Sequence, residues 1–523
     1  MDLQTHILIA HLLLLLSLAY FTAMSARYFT HMLQLNGYNA GEQFLWMKKN
    51  KRRLLPSLIF LPAGLAFAFF WEKDPFFAYL LFAGLALLSS LFFFPRKAKK
   101  PLVYTARVKR LFLTFSLFSL LLFVLAVLLG KNGEFLILSL TAFAVPFLLL
   151  LANRANEPVE RAVRGYYIRD AKKILAACPD LQIIGVTGSF GKTSVKFYLT
   201  ALLEEKYNVL CTPESYNTPM GVVKTVREHL RPYHEIFVCE MGAKWVGDVK
   251  ELCDIVHPQS GIVTSIGEQH LETFGSIENI IKTKYELADA LPKDGKLYIN
   301  ISSDTVNAHR PQRGAVTYGL TPDADYYAAD ITVSTEGSAF ILRHGEEEMR
   351  FVTPLIGEAN VVNIVGAIAA ANGFGIPLCD LVAPVRRLRP VPHRMQLCDR
   401  GAYTVIDDAF NSNPAGAKAA LDTLSRFDGL KIIVTPGMVE LGEKEEELNR
   451  ALGADAAAVC DYIVTVGIKQ TKPIVEGVKA AGFSSERLYT AKDLADAMRY
   501  VHAIEAGGKR KIILLENDLP DNY

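Results

Sequence analysis

Five long apolar runs crowd into the first 151 residues, at 7–24, 54–71, 76–94, 111–129 and 135–151. Each is close to the ~20 residues a helix needs to cross the hydrocarbon core of a bilayer. Runs this dense leave too little polar surface for a water-soluble fold. They predict a membrane region at 1–152 with five transmembrane helices. The first run does not read as a cleavable leader, because it lacks a basic segment before it and a small-residue cleavage site after it. Over the whole chain hydrophobic residues make up 51% and the mean hydropathy is +0.21. The excess lies before residue 152.

Loop charges predict an orientation. Residues 25–53 carry Arg27, Lys48, Lys49, Lys51, Arg52 and Arg53. Residues 95–110 carry Arg96, Lys97, Lys99, Lys100, Arg107, Lys109 and Arg110, whereas the intervening loops hold only Lys73 and Lys131. Basic loops stay inside, so the N-terminus is expected outside and everything after residue 152 in the cytoplasm. The seven cysteines form no C-x-x-C pair, which suits a reducing compartment. A net charge of +2 gives no reason to expect a nucleic-acid partner. The runs hold almost no ionisable residues, which favours a plain anchor over a lipid-substrate site.

From residue 181 the pattern changes to short apolar strands alternating with helices, as in "LQIIGV", "EIFVCE" and "SGIVTSI". Such βαβ patterning predicts a mostly parallel sheet covered on both faces. Residues 330–354 alternate apolar and polar, which suggests a small antiparallel insert, and a helix follows at 360–373. A second alternating unit begins near Tyr403, with "YTVID", "KIIVT", "YIVTV" and "KIILL". The expected organisation is a linker at 153–180, an α/β central domain with a phosphate-binding loop at 181–388, and a Rossmann-like C-terminal domain at 389–523.

"VTGSFGKTS", residues 186–194, carries the first chemistry. A strand, a glycine turn and a helix N-terminus together point backbone N–H groups and the positive end of the helix dipole at an anion. Lys192 adds a point charge for phosphates, and Thr193 or Ser194 can offer a hydroxyl to Mg²⁺. The loop departs from G-x-x-x-x-G-K-S/T, since Val186 stands where the first glycine belongs.

Eight further stretches follow in order: "YNTPMGV", "CEMGAKWVGDV", "TSIGEQHLETFGS", "KTKYEL", "GEANVVNIVGAIAAA", "PHRMQ", "IDDAFNSNPAGAKAAL" and "GMVELGEKEEELNRALG". With the loop form T-G-x-x-G-K-T/S they resemble the Mur ligase family, most closely its MurF type. Those enzymes form peptide bonds in bacterial cell-wall precursors. The resemblance implies ATP bound by Thr187, Gly188, Ser189, Gly191, Lys192, Thr193 and Ser194, by Asn360 and Asn363 on the adenine side, and by Arg394 and Asp408 from the C-terminal domain. It implies one Mg²⁺ held by Glu240 and His270, another by Thr193, and a carbamylated Lys284 as a further Mg²⁺ ligand, with Lys192, Glu240, His270 and Lys284 as the catalytic set. Asn217, Thr218, Asn411 and Asn413 fall at substrate positions. The alternative for Lys284 is a lysine on the exposed face of an ordinary helix.

Three departures bear on the substrate. Only about 28 residues separate the last apolar run from the first strand, where MurF-type enzymes carry a UDP-binding domain. Ala359 replaces the family's histidine. The chain ends "KIILLENDLPDNY" with no K-G-S-R-type segment. The expected function is an ATP-dependent amide ligase that joins a carboxylate donor to an amino-acid or peptide amine at the bacterial cytoplasmic membrane. A lipid-linked or polyglutamate-like donor is one alternative. A catalytically weak scaffold for cell-wall synthesis proteins is another.

Overall fold

The computed structural model describes residues 3–71, 73–95, 98–410 and 412–519, in two units whose boundary falls between Gly165 and Tyr166. The first unit is helical: α1 (Leu3–Leu35), α2 (Ala40–Lys49), α3 (Leu55–Leu58), α4 (Phe60–Trp71), α5 (Pro75–Ser90), α6 (Ala106–Leu128) and α7 (Gly130–Ala176). Polar side chains open several of them. Asn39 accepts from Gly41 and Glu42 at α2, Asp74 from Phe77 at α5, and Thr105 from Val108 at α6.

Among the described residues four helices are long and apolar enough to cross a membrane: Leu3–Leu35, Pro75–Phe93, Ala106–Leu128 and Gly133–Ala176. The expected second span is not a single helix of that kind. Pro62 has no N–H to offer the Leu58 carbonyl, and the run is divided at Ile59 into α3 and α4. The two basic loops nevertheless meet at one end of this unit. His31 Nε2 lies 2.7 Å from the Lys100 carbonyl, and Gln34 and Val103 exchange two hydrogen bonds of 2.9 Å. The chain between them therefore runs out along α3 and α4 and back along α5. Together α3 and α4 cover 17 residues, 55–71, roughly 25 Å at 1.5 Å per residue.

Phe21, Phe60, Phe82 and Phe135 fill the interior of the bundle, while Leu16, Leu65, Leu113, Leu121 and Leu128 stand exposed. A surface this apolar is unfavourable in water and suits a lipid solvent. A half-buried polar pair lies among these helices: His11 bonds Glu134 and stacks on Tyr79 at 4.7 Å. The stretch expected as a linker, 153–180, is helical for most of its length, because α7 continues through Ala176. Arg154 and Arg161 pair with Glu157 along it. Its last turns bury Ala171, with Tyr167, Ile168, Ile174 and Leu175 around it, in the core of the second unit.

The second unit is α/β, with two mixed sheets. Its first half comprises β1 (Gln182–Thr187), α8 (Lys192–Leu203), β2 (Val209–Cys211), α9 (Pro219–His229), β3 (Ile236–Glu240), α10 (Asp248–Val256), β4 (Ser260–Val263), α11 (Leu271–Phe274), α12 (Ile277–Ala290), β5 (Lys296–Asn300), α13 (Asp304–Ala308), β6 (Val316–Gly319), β7 (Tyr326–Ser334), β8 (Gly337–His344), β9 (Glu347–Thr353), α14 (Glu358–Gly373) and α15 (Leu378–Arg386). The sheet order is β2-β3-β1-β4-β5-β6-β7-β8-β9. Pairing is parallel as far as β7, and β8 and β9 add antiparallel strands. The expected insert is thus an extension of the same sheet.

The central strands β1, β3 and β4 are almost wholly buried, as a parallel sheet covered on both faces requires. Tyr198, Leu199 and Leu202 of α8 pack with Val361, Ile364 and Ile368 of α14 in one core. Val222, Val226, Leu252, Ile280 and Leu287 belong to a second. Since β1 lies between β3 and β4, their carboxyl ends frame a crevice where connections diverge, the usual ligand position in open α/β sheets.

The second half comprises β10 (Gln396–Asp399), β11 (Tyr403–Asp408), α16 (Pro414–Ser425), β12 (Leu430–Thr435), α17 (Glu445–Val459), β13 (Tyr462–Val466), α18 (Lys472–Ala480), β14 (Leu488–Ala491), α19 (Leu494–Ala503) and β15 (Lys511–Glu516). Its order is β10-β11-β15-β12-β13-β14, parallel except for β10.

Candidate functional site

The loop between β1 and α8 needs its glycines. Gly188 (φ 151°) and Gly191 (φ 83°) adopt backbone that side chains avoid. A Cβ at Gly188 would lie 2.1 Å from Thr264 Oγ1, and one at Gly191 would lie 2.6 Å from Asn363 Oδ1. The strand-end residues Thr264 and Ser265 brace the loop. Both hydroxyls donate to the Phe190 carbonyl, and Ser189 N–H donates to the Ser265 carbonyl at 2.7 Å. Ser189 Oγ is tied to Gly267, and Thr187 Oγ1 donates to the Met241 carbonyl. Ser194 is buried on α8.

Glu240 closes β3 beneath this loop and is fully buried. Its Oε1 accepts from Thr193 Oγ1 at 3.0 Å and from Asn217 Nδ2 at 2.9 Å. Its Oε2 has Lys196 Nζ at 3.2 Å but no hydrogen bond of good geometry. Burial works to raise the Glu240 pKa, yet Lys196, Lys192 and Asn217 hold it below the ordinary carboxylate value. Lys196 belongs to this site and is not among the residues expected from sequence. It sits one helical turn after Lys192, in an otherwise apolar stretch of α8. Burying a lysine there is tolerable because Glu240 pairs with it. Lys192 folds back over the loop and donates to the carbonyls of Gly188 and Ser189 at 2.7 and 3.0 Å. Burial lowers its pKa to about 8, with Arg394 adding to the effect and Glu240 opposing it.

Lys284 is buried on α12 and so is not an exposed helix lysine. Burial first, and Lys192 second, push its amine well below the ordinary lysine value. His270 does not touch Glu240. Its Nδ1 is bonded to Glu440, which also pairs with Lys244 Nζ at 3.0 Å. Burial lowers the His270 pKa, and Lys244 and Lys284 lower it further against the pull of Glu440. The expected metal set of Thr193, Glu240, His270 and Lys284 is therefore not one touching cluster. Thr193 bonds Glu240, whereas His270, Lys284, Lys192 and Glu240 interact in sequence only through their charges. Among the described residues no group of three or more His, Cys, Asp or Glu gathers as a metal cage.

The second half of the unit supplies Arg394. Its guanidinium lies 4.4 Å from the Phe410 ring centre, and its pKa is lowered by burial against Glu240 and Asp408. His393 (φ 58°) and Met395 (φ 48°) flank it in left-handed backbone, a conformation that costs energy and concentrates at functional sites. Asp408 accepts from Met395 N–H at 3.0 Å, and burial raises its pKa to about 6. A cavity of about 180 Å³ lies between α14 and α16, lined by Phe190, Ala359, Val362, Asn363, Thr423 and Arg426. Asn360 turns away into the fold, accepting from Tyr198 OH and donating to the Ile356 carbonyl.

Of the described substrate-side positions only Asn217 touches the Glu240 network. Thr218 caps α9 through Gly221 N–H and Asn413 caps α16 through Gly416 N–H, so both hydroxyl and amide have a local structural task. Asn411 lies outside the described residues.

The chain is similar to known proteins in both halves of this unit. A family model described as the Mur ligase middle domain matches residues 186–371, and one described as the Mur ligase glutamate ligase domain matches 393–515. The UDP-N-acetylmuramoyl-tripeptide–D-alanyl-D-alanine ligase of Bacillus subtilis is 35% identical over 327 residues, covering 61% of this chain and 70% of its own. The Escherichia coli ligase of the same name is 30% identical, covering 64% and 75%. Among solved structures, MurF from Acinetobacter baumannii superposes with a TM-score of 0.62 at 25% identity, covering 68% and 77%. MurF from Thermotoga maritima in complex with ADP superposes at 0.61 and 23% identity, covering 68% and 80%.

Proposed function

The chain belongs to the Mur ligase family and is a MurF-like, ATP-dependent amide-bond-forming ligase of peptidoglycan synthesis, and on that premise we propose how its residues act. ATP lies with its phosphates on the loop from Thr187 to Ser194. A donor carboxylate oxygen attacks the γ-phosphorus, the bond to the β-phosphate oxygen breaks, and ADP leaves. An amine then attacks the acyl carbon and loses a proton, and inorganic phosphate departs with the donor's oxygen. Charge on the transferring group needs fixed cations and N–H donors nearby. Lys192 and the loop amides fill that role, and Arg394 adds a cation from the second half of the unit. The cavity beside Ala359 and Asn363 takes the adenosine.

The donor set suits a hard cation. Glu240 is held ionised, and its Oε2 is buried without a hydrogen bond. Thr193 and Glu240 would hold Mg²⁺, with His270 and carbamylated Lys284 as further ligands, and the ion would neutralise phosphate charge. Lys284 suits carbamylation because its buried amine favours the neutral form. Adding CO₂ forms an N–C bond and releases a proton.

The relatives are named for a UDP-linked tripeptide donor and a D-alanyl-D-alanine acceptor, and these are the first substrates to assign here. A membrane-delivered, lipid-linked donor is the second reading. It is favoured by the apolar helices that precede the matched region. We place the chain in the cytoplasmic membrane as a multi-pass protein, with its N-terminus outside and its catalytic unit inside. Two basic loops meeting at one end of the bundle support that orientation.

The observation that carries the enzymatic proposal is the Thr193–Glu240–Lys196 network directly under the phosphate loop. ADP formation by the purified full-length protein tests it. Turnover that depends on both donor and amine, and is lost in Lys192→Ala, is the expected result. ATP binding without amine-dependent turnover would refute it.

A further inference from the structure

Glu440 has no role in the reaction as described, yet the fold goes to some length to place it. It follows β12 in the turn that starts at Thr435, and its φ of 65° is unusual for a side chain of its size. Asn449 fixes that turn by accepting from Met438 N–H at 2.8 Å and donating to the Met438 carbonyl at 2.9 Å. The turn then docks on the loop around His270. The Glu440 carbonyl accepts from Glu272 N–H at 3.2 Å, and a Cβ on Gly442 would stand 3.4 Å from the Glu272 Cα. Lys444 pairs with Glu268 at 2.6 Å. His270 itself adopts φ 51°. Two residues in left-handed backbone, one from each half of the unit, thus meet side chain to side chain.

We propose that Glu440 is the positioning residue for His270: by accepting the Nδ1 proton it fixes the tautomer in which Nε2 carries the lone pair, so that the metal-binding form of His270 is completed by the C-terminal half of the unit. This rests on the reading of His270 as a metal ligand. Metal-binding histidines commonly give their second N–H to a carboxylate, which sets ring orientation and raises ligand basicity. Glu440 suits the task because one carboxylate oxygen meets His270 Nδ1 while Lys244 Nζ pairs with the other at 3.0 Å. Lys244 is the natural control, since it bonds the other carboxylate oxygen and leaves the histidine contact intact.

The test is Mn²⁺ affinity of the full-length protein with ADP, read from the EPR signal of free Mn²⁺, with melting temperatures measured without metal. His270→Ala weakens binding if His270 is a ligand. Glu440→Leu weakens it by ~10–100-fold, the range for removal of such a partner. Glu440→Gln, whose amide oxygen still accepts, loses less, and Lys244→Ala stays within about twofold of wild type. In a His270→Ala background Glu440→Leu has no further effect. Wild-type affinity in Glu440→Leu beside weak binding in His270→Ala overturns the proposal alone. Wild-type affinity in His270→Ala overturns the ligand reading beneath it. Should Glu440→Leu fail to fold, Glu440→Gln decides: a loss that vanishes in the His270→Ala background supports the proposal, and no loss, or an equal loss in both backgrounds, overturns it.

Discussion

Glu240 and Glu516 occupy equivalent places in the two sheets. Each is buried at the carboxyl end of a strand with parallel neighbours on both sides. Their surroundings are opposite. Glu240 has Lys196 at 3.2 Å and Lys192 and Arg394 within electrostatic reach, so it remains ionised. Among the described residues the Glu516 carboxyl is bonded only by the hydroxyls of Ser412 and Thr435, with Asp408 nearby, and burial raises its pKa to about 7. The same residue at the same kind of position therefore serves two ends. The first is a permanent anion fit for a cation. The second is a carboxyl group near neutrality that ties strand ends together.

The contrast can be broken from either side. Lys196→Met leaves Glu240 buried without its partner, which should cost about 3–5 kcal/mol of stability; thermal and denaturant unfolding in detergent would show it. Loss of under about 1 kcal/mol would mean that Glu240 is not held by this pair. Lys192→Ala spares the Glu240–Lys196 pair. It should lower kcat by about 10²–10³-fold, as loss of a preorganised charge does, with the melting temperature little changed.

Replacing Glu516 probes the other side. Its folded pKa is raised from 4.5 to about 7, so between those values the native state holds a proton that the unfolded chain has lost. Stability from this group falls as pH rises through that window, by roughly 3 kcal/mol at most, and is level above it. Glu516→Gln should remove that slope and be more stable than wild type at pH 8. Glu240 has the reverse sign. Its folded pKa is depressed, so its contribution is present above the unfolded value and declines as pH falls below it. A wild-type stability curve unaltered by Glu516→Gln between pH 5 and 8 would contradict the assignment. The smallest effects belong to the caps: Thr218→Ala and Asn413→Ala should each cost about 1 kcal/mol and leave the substrate KM values unchanged.

Residues that announce themselves locally were readable in the sequence. Alternating strands and helices, the glycines at 188 and 191, and the strand-end Glu240 follow from short-range patterns. The broken second run was also within reach, because Pro62 interrupts it in plain view. What could not be read is proximity across the fold. Lys196 looks like any helix lysine until Glu240 is placed beneath it. Glu440 stands in a quoted motif, yet nothing local says that it meets His270 from 170 residues away. Asn360, Thr218 and Asn413 show the converse. Their side chains hold local backbone or a neighbouring tyrosine. The continuity of α7 is not legible in the sequence because its apolar and charged halves read as different things, although backbone hydrogen bonding does not distinguish them.

Oxygen transfer from the donor tests the central claim most directly. With the donor carboxylate labelled with ¹⁸O and an amine acceptor present, inorganic phosphate released by the full-length protein should carry one labelled oxygen for each amide formed. Unlabelled phosphate, or phosphate release indifferent to the amine, would mean that no acyl phosphate forms and that the loop above Glu240 serves another reaction.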